Sequence, residues 1–130
     1  LNLAGEVGLD GALALTAGAR LMICNDSMAL HMASACRIPT VAIFCATVPA
    51  FGFGPWQNRA RIVEKKDLAC RPCARHGSRR CPNRSRACMD QLPAQAVIEA
   101  VMALEVLPAA TGVTFQGRSG PNRAGATVSG

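Results

Sequence analysis

Two short apolar runs, separated by a helix-forming segment, constrain the fold of this chain more than any other feature. Arg20–Cys24 and Thr40–Phe44 are continuous rather than alternating, which is typical of strands buried on both faces of a parallel sheet. Between them, Asn25-Asp26-Ser27 can cap a helix over Met28–Cys36, and Ile38-Pro39 ends it. Alternating helices and strands with short connections predict an α/β fold, which right-handed crossovers would make Rossmann-like.

The segments around this centre complete the predicted domain. We expect, in chain order, a strand end at Leu1–Ala4, a helix at Leu9–Ala19, a short strand at Arg61–Glu64 and a helix at Pro93–Val106. In the first helix, Leu9, Leu13 and Ala17 share one face, which we expect to pack on the core. From Pro108 on, Gly, Ser, Thr, Asn and Arg dominate and periodicity vanishes, so we expect a domain over residues 1–106 followed by a disordered tail over residues 107–130.

A Gly/Pro-rich loop, Cys45–Asn58, follows the second predicted strand. It carries Phe51, Phe53 and Trp56 in a chain that has few aromatic residues. Such rings either stack on a base or a sugar, or anchor a loop on its domain. We favour the anchoring role here.

The net charge of +6 is concentrated in one segment. Between Arg59 and Arg86 the chain carries ten Lys or Arg residues against Glu64 and Asp67. The alternatives are a solvated loop and a surface for an anionic partner: a nucleotide, a phosphorylated glycolipid, an anionic membrane surface or a nucleic acid. No stretch reaches the roughly 18–20 uninterrupted apolar residues that a membrane span needs, so we expect a soluble cytoplasmic protein.

The turn from Asp26 to His31 is the main candidate for a binding site. In parallel sheets, ligands bind beyond the carboxyl ends of the strands, and this turn lies at such an end and opens a helix. Free N–H groups at the start of a helix suit a phosphate, Ser27 adds a hydroxyl, and Asp26 could accept hydrogen bonds from sugar hydroxyls. His31 follows within the first turn or so and could face the same crevice. The alternative is a helix cap beside a structural histidine.

The order and spacing of three motifs resemble the heptosyltransferase-like enzymes of glycosyltransferase family nine. The motifs are Asn2-Leu3-Ala4-Gly5, then Asn25-Asp26-Ser27-x-x-x-His31-x-Ala33, then Ile38–Phe44. Downstream, Cys70-Arg71-Pro72-Cys73, Cys81-Pro82 and Cys88-Met89 are also similar to many members. The resemblance covers roughly residues 1–106.

This resemblance implies the partial C-terminal domain of a GT-B glycosyltransferase, whose active site lies between two Rossmann-like halves. The C-terminal half would bind the nucleotide-sugar donor, of the ADP-heptose type. Asp26 would contact sugar hydroxyls, and Ser27 and the Met28 backbone would approach the diphosphate. His31 would lie by the phosphates or brace the loop, and Thr47 matches a further family position. The general base is expected in the absent N-terminal half, so this chain is not expected to be active alone.

The resemblance also implies the partners. We expect a lipid-linked or phosphorylated glycan acceptor of lipopolysaccharide core synthesis, peripheral contact with the cytoplasmic face of the inner membrane, no nucleic acid, and no cofactor for catalysis. There are departures from the family pattern. Met28 replaces a glycine, and after Phe44 only Thr47 and Pro49 match. A catalytically inactive homologue that serves as an interaction domain is therefore an alternative.

Four cysteines, Cys70, Cys73, Cys81 and Cys88, lie within a basic insertion predicted over residues 67–90. A C-x2-C pair with two further thiolates can hold zinc in a tetrahedral site, and this predicts a structural zinc ion. The second pair is spaced more widely than in typical zinc modules. Reduced or redox-paired thiols and an iron–sulfur cluster are the alternatives for this cluster, and a four-cysteine basic nucleic-acid-binding module is a further alternative for the chain.

Overall fold

A computed structural model describes residues 1–106 as a small sheet covered by helices. The elements in chain order are α1 (Leu9–Ala17), β1 (Met22–Asn25), α2 (Met28–Ala35), β2 (Thr40–Phe44), a 3₁₀ turn (Pro49–Phe51), β3 (Ala60–Glu64), α3 (Ala87–Asp90) and α4 (Ala94–Met102). The prediction of a tail over residues 107–130 lies outside the described residues.

The three strands form one parallel sheet in the order β1-β2-β3. Met22 pairs with Thr40 across the first ladder, and Thr40 pairs with Ala60 across the second. The β2 strand is central and is almost completely buried, as its continuous apolar run predicts. The predicted parallel α/β fold is confirmed. All three strands point the same way, so their carboxyl ends meet at one edge of the sheet.

Successive residues of β2 face two separate halves of the core. Ala42 and Phe44 pack with Leu30 of α2 on one face of the sheet. On the other face, Val41 and Val63 pack with Val101 of α4 and with Leu104, two residues after that helix, in the larger apolar cluster. This alternation follows from the pleat of a strand, in which neighbouring side chains point to opposite faces. Helices on both faces explain why β2 carries no polar face.

A polar network closes the sheet at the amino end of β2. The Asn58 amide nitrogen donates to the Ile38 carbonyl at 2.8 Å and to the Thr40 hydroxyl at 3.0 Å. Thr40 is fully buried and its hydroxyl donates to the same carbonyl at 2.8 Å. The Ser34 hydroxyl in turn donates to Asn58 at 3.3 Å. The long loop between β2 and β3 is therefore fixed where it returns to the sheet.

The first helix packs differently from the prediction. Leu9 and Leu13 are 61% and 41% exposed, whereas Thr16 is 5% exposed. The Thr16 hydroxyl donates to the Ala12 carbonyl at 2.8 Å, so a threonine can lie in the contact with its polar group satisfied. The expectation that Leu9, Leu13 and Ala17 form the core face is wrong, because α1 packs against α2 with its threonine side inward.

The predicted strand end at Leu1–Ala4 is a turn. The Ala4 N–H bonds to the Asn2 side chain at 3.0 Å, and the Glu6 N–H bonds to the Leu3 carbonyl at 3.1 Å. These local bonds use backbone groups that a strand would offer to a neighbour. Across residues 1–106, no helix has both the length and the apolar character needed to cross a bilayer.

Candidate functional site

A cavity of about 430 Å³ opens beyond the carboxyl ends of β1 and β2. This is the edge where parallel sheets bind their ligands. Its walls come from the ends of both strands and from the cysteine-rich loop, which is the predicted insertion over residues 67–90. The lining residues are Asn25, Asp26, Ile43, Cys45, Ala46, Thr47, His76, Gly77, Ser78, Arg79 and Met89. Asp26 and Thr47 are thus brought together, 21 positions apart in sequence, as two of the five predicted binding residues.

Asp26 and Thr47 are directly hydrogen-bonded. The Thr47 hydroxyl donates to Asp26 Oδ2 at 2.6 Å, and the Asp26 backbone N–H donates to the Ile43 carbonyl at 3.1 Å. The second bond continues the β1–β2 ladder one residue past the strand, which sets where the carboxylate emerges. Thr47 bonds to one oxygen of the carboxylate. Within residues 1–106 no group bonds to the other oxygen, Oδ1, which can accept a hydrogen bond from a ligand hydroxyl.

The start of α2 lies beside this pair. Ser27 is the N-cap residue, but its hydroxyl donates to the Asn25 carbonyl at 3.2 Å and makes no cap bond to the helix. The alternative in which the Ser27 side chain caps the helix is therefore not observed. Met28 is 62% exposed, and neither Ser27 nor Met28 contributes to the cavity wall. The helix start therefore has no side-chain cap from Ser27, and the Met28 side chain does not fill the cavity.

A buried arginine that the sequence analysis did not single out joins three parts of the site. Arg71 has a side chain that is only 3% exposed, and its guanidinium donates to Glu64 Oε2 at 2.6 Å. It also donates to the Thr47 and Lys65 carbonyls, each at 2.7 Å. Arg71 thereby fixes the backbone of the residue that holds Asp26. The sequence conceals this role, because Arg71 is one of ten basic residues in its segment.

The cysteine-rich loop folds back over the sheet and forms one wall of the cavity. The Cys73 N–H donates to the Ala46 carbonyl at 3.0 Å. Gly77 has a φ of +76°, and a Cβ there would stand 3.5 Å from the Ala46 Cβ and 3.8 Å from Thr47 Cγ2. Glycine suits this position because the backbone turns into the left-handed region while it approaches the cavity floor. The predicted insertion is therefore part of the site.

His31 lies outside the cavity that Asp26 lines. It faces a different cavity together with Ser34 and Trp56, so the expected shared crevice is not observed. Its ring makes an edge contact with Phe53 at 6.4 Å between centroids, and Phe53 contacts His76 at 6.0 Å. Because His76 lines the first cavity, this ring series supports the bracing role for His31. Phe53 anchors the loop as expected, whereas the Trp56 side chain is 66% exposed.

All seven cysteines are free thiols. Burial raises the pKa of the Cys73 thiol, and the neighbouring thiols of Cys70, Cys88 and Cys81 raise it further. The pKa of Cys81 is lowered, first by the Arg86 backbone N–H, which lies 3.3 Å from its sulfur. The two pKa shifts are opposite: that of Cys73 favours the neutral thiol, and that of Cys81 favours the thiolate.

The thiols of Cys73, Cys81 and Cys88 line one cavity, while Cys70 is close enough to Cys73 to affect its pKa. Within the described part of the chain, however, no three His, Cys, Asp or Glu side chains form a group that could hold a metal ion. Structural zinc and its alternatives, reduced or redox-paired thiols and an iron–sulfur cluster, all stay predictions. Metal analysis of protein purified without chelator distinguishes zinc, iron and metal-free thiols.

The comparisons with known proteins agree on one family. The model of the family described as Glycosyltransferase family 9 (heptosyltransferase) matches residues 1–82. Every residue that lines the first cavity, except Met89, falls inside this match. No solved structure matches the chain significantly.

Curated relatives point the same way. Lipooligosaccharide heptosyltransferase 2 of Campylobacter jejuni subsp. jejuni serotype O:6 is 38% identical over 84 residues, which are 65% of this chain and 25% of that protein. Lipopolysaccharide heptosyltransferase 2 of Escherichia coli K12 is 39% identical over 62 residues, which are 48% of this chain and 18% of that protein. The chain spans a quarter or less of the length of these relatives.

Replacing Arg71 tests whether its buried ion pair fixes the site. We expect Arg71→Met to lower the free energy of unfolding by about 3–5 kcal/mol, because the largely buried Glu64 carboxylate loses its partner. Lys66→Met is the matched control: Lys66 is 83% exposed and 3.9 Å from the same carboxylate, so its loss should change stability by less than about 0.5 kcal/mol. Urea denaturation measures both. Equal, small effects would contradict the assignment.

The pKa values of Cys73 and Cys81 are shifted in opposite directions, which predicts the order in which the two thiols are alkylated. In chelator-treated protein, we expect iodoacetamide to modify Cys81 faster than Cys73 near neutral pH, because only thiolates react and the pKa of Cys81 lies below its ordinary value. As the pH rises, the Cys73 rate should approach that of Cys81. Peptide mass spectrometry after timed quenching gives both rates, and a faster Cys73 at pH 7 would contradict the thiol environments described above.

Proposed function

This chain belongs to glycosyltransferase family 9, and on that premise we propose that its cavity at the sheet edge binds the nucleotide-sugar donor of a glycosyl transfer. The observation that carries the proposal is the Asp26–Thr47 pair beside the start of α2, at the carboxyl ends of two parallel strands. The donor is proposed to be of the ADP-heptose type, in keeping with the heptosyltransferases that the chain resembles.

The two parts of such a donor need different chemistry, and both kinds are present. The sugar offers hydroxyl donors, for which the free oxygen of the Asp26 carboxylate is a suitable acceptor. The diphosphate needs N–H donors and positive charge. The first turn of α2, from Ser27 and Met28 onward, follows Asp26 directly, has no side-chain cap on its N–H groups and carries the positive end of the helix dipole. Arg79 adds a basic residue to the cavity lining.

This arrangement suits a transfer in which negative charge develops on the departing nucleoside diphosphate. Fixed amides and a guanidinium stabilise that charge more in the transition state than in the bound donor. We therefore propose that the transfer needs no cofactor. Asp26 in this role is a binding residue that orients the sugar. The general base is proposed to lie in another part of the full protein, because this chain spans a quarter or less of its relatives.

The replacement of the family glycine by Met28 is compatible with this role. A glycine permits close approach of the backbone to a ligand, and a larger side chain could block it. The Met28 side chain is 62% exposed and lies outside the cavity lining, so the space beside Asp26 stays open. This supports donor binding over the alternative of an inactive homologue.

The acceptor follows from the names of the relatives, which act on lipooligosaccharide or lipopolysaccharide. We propose a saccharide acceptor of that class, presented at the cytoplasmic face of the inner membrane. The excess of basic residues between Arg59 and Arg86 supports an anionic acceptor or an anionic surface.

Calorimetric titration of the full chain with ADP-heptose, and with a UDP-sugar for comparison, tests the proposal. We expect Asp26→Asn to weaken binding of the preferred donor about tenfold or more, because charge-assisted hydrogen bonds to the sugar are lost. The fold should be kept, since an asparagine oxygen still accepts the Thr47 hydroxyl.

Asp10→Asn on exposed α1 is the matched control and should bind the donor as the unsubstituted chain does. If Asp26→Asn bound the donor equally well, the assigned orientation would be wrong. If the folded chain bound neither nucleotide sugar, the inactive-homologue alternative would replace the proposal.

A further inference from the structure

A second cavity, of about 640 Å³, adjoins the proposed donor cavity beneath the cysteine-rich loop. The two cavities share part of their walls, namely Ala46, Ser78, Arg79 and Met89. The second cavity therefore begins where the first ends, and a group bound in it would lie next to a ligand held by Asp26.

Four arginines line this second cavity: Arg79, Arg80, Arg84 and Arg86. Over residues 1–106, the four guanidinium groups have one carboxylate within ion-pair distance between them. It belongs to Asp90, 3.7 Å from Arg86, and both side chains of that pair are more than half exposed. None of the described residues that line the cavity is acidic. Like charges around one cavity repel each other, and an anion bound between them reduces that repulsion.

Local bonds hold the backbone that carries these arginines. The Ser78 hydroxyl donates to the Arg80 carbonyl at 2.7 Å, and the Asn83 side chain accepts from the Ser85 N–H at 3.2 Å. The Arg86 N–H is bonded to the Cys81 sulfur. These bonds order the backbone in the unbound protein, so a ligand has to immobilise only the arginine side chains.

From this juxtaposition we propose that the arginine-lined cavity binds an oxyanion group of the saccharide acceptor, a phosphate or a carboxylate, beside the donor. Guanidinium forks match the geometry of both groups and bind them through paired hydrogen bonds. This inference rests on the proposed function for its identification of the ligand as an acceptor. An oxyanion held there would orient the acceptor relative to the sugar that is transferred.

The test uses variants that separate the two cavities. Arg80 and Arg84 line only the second cavity, so we compare Arg80→Gln/Arg84→Gln with the charge-matched control Arg37→Gln/Arg75→Gln, whose positions line neither. The probe is deacylated lipooligosaccharide, in native form and after phosphatase treatment, titrated by calorimetry at fixed salt. Circular dichroism confirms that each variant is folded.

We expect Arg80→Gln/Arg84→Gln to weaken binding of the native saccharide about tenfold or more and to leave donor affinity unchanged. The saccharide affinity of Arg80→Lys/Arg84→Lys should lie between those of the unsubstituted chain and Arg80→Gln/Arg84→Gln, because lysine keeps the charge but lacks the guanidinium fork. Weaker binding of the phosphatase-treated saccharide identifies a phosphate as the bound group. Unchanged binding of that saccharide, with the arginine effect retained, identifies a carboxylate.

Three results would overturn the inference. The first is equal saccharide binding by Arg80→Gln/Arg84→Gln and the unsubstituted chain. The second is an equal loss of saccharide affinity in the control variant, which would show that the effect comes from net charge alone. The third is tighter, salt-sensitive binding of random duplex DNA that competes with the saccharide. Failure of the proposed function is distinguishable, because arginine-dependent saccharide binding would then persist in a chain that binds no nucleotide sugar.

Discussion

The buried Arg71–Glu64 ion pair is the interaction on which the shape of the site depends. Glu64 is the last residue of β3, and the guanidinium that it holds also donates to the Thr47 carbonyl, three residues past the end of β2. Burial makes both partners necessary: Arg71 without Glu64 would be a buried charge without a counter-ion, and Glu64 without Arg71 would keep only the exposed Lys66 at 3.9 Å. One residue from the cysteine-rich loop thus connects two strand ends and places Thr47 where its hydroxyl reaches Asp26.

The site combines a rigid sheet edge with a wall of irregular loop. Asp26 takes its position from the parallel ladder, since its N–H bonds to the Ile43 carbonyl of the neighbouring strand. The loop wall is held by contacts across the sequence: Cys73 with the backbone at Ala46, and His76 with Phe53. Rigid elements position a binding group precisely, whereas loops can change the ligand that is accepted, as in many α/β proteins.

Much of the fold could be predicted because it follows from local patterns. The run Thr40–Phe44 became β2 with the predicted bounds, and α2 begins at Met28 as expected. The predicted core face of α1 was wrong because periodicity alone cannot tell which side of a helix meets its neighbour. In the structure, Thr16 is the buried residue of this helix. His31 shows the same limit. Its spacing from Asp26 is correct for proximity along the helix, but it faces a different cavity.

The sequence by itself determined the parallel sheet, the helix that follows β1 and the family, because these are encoded in apolar runs and short motifs over a few neighbouring positions. Only the tertiary structure decided that residues 67–90 form a wall of the site, that Arg71 is its central connection, and that Arg79 is shared between two cavities. The reason is physical. Those features depend on contacts between residues far apart in the chain, and a uniform run of arginines gives no sign of which one is buried.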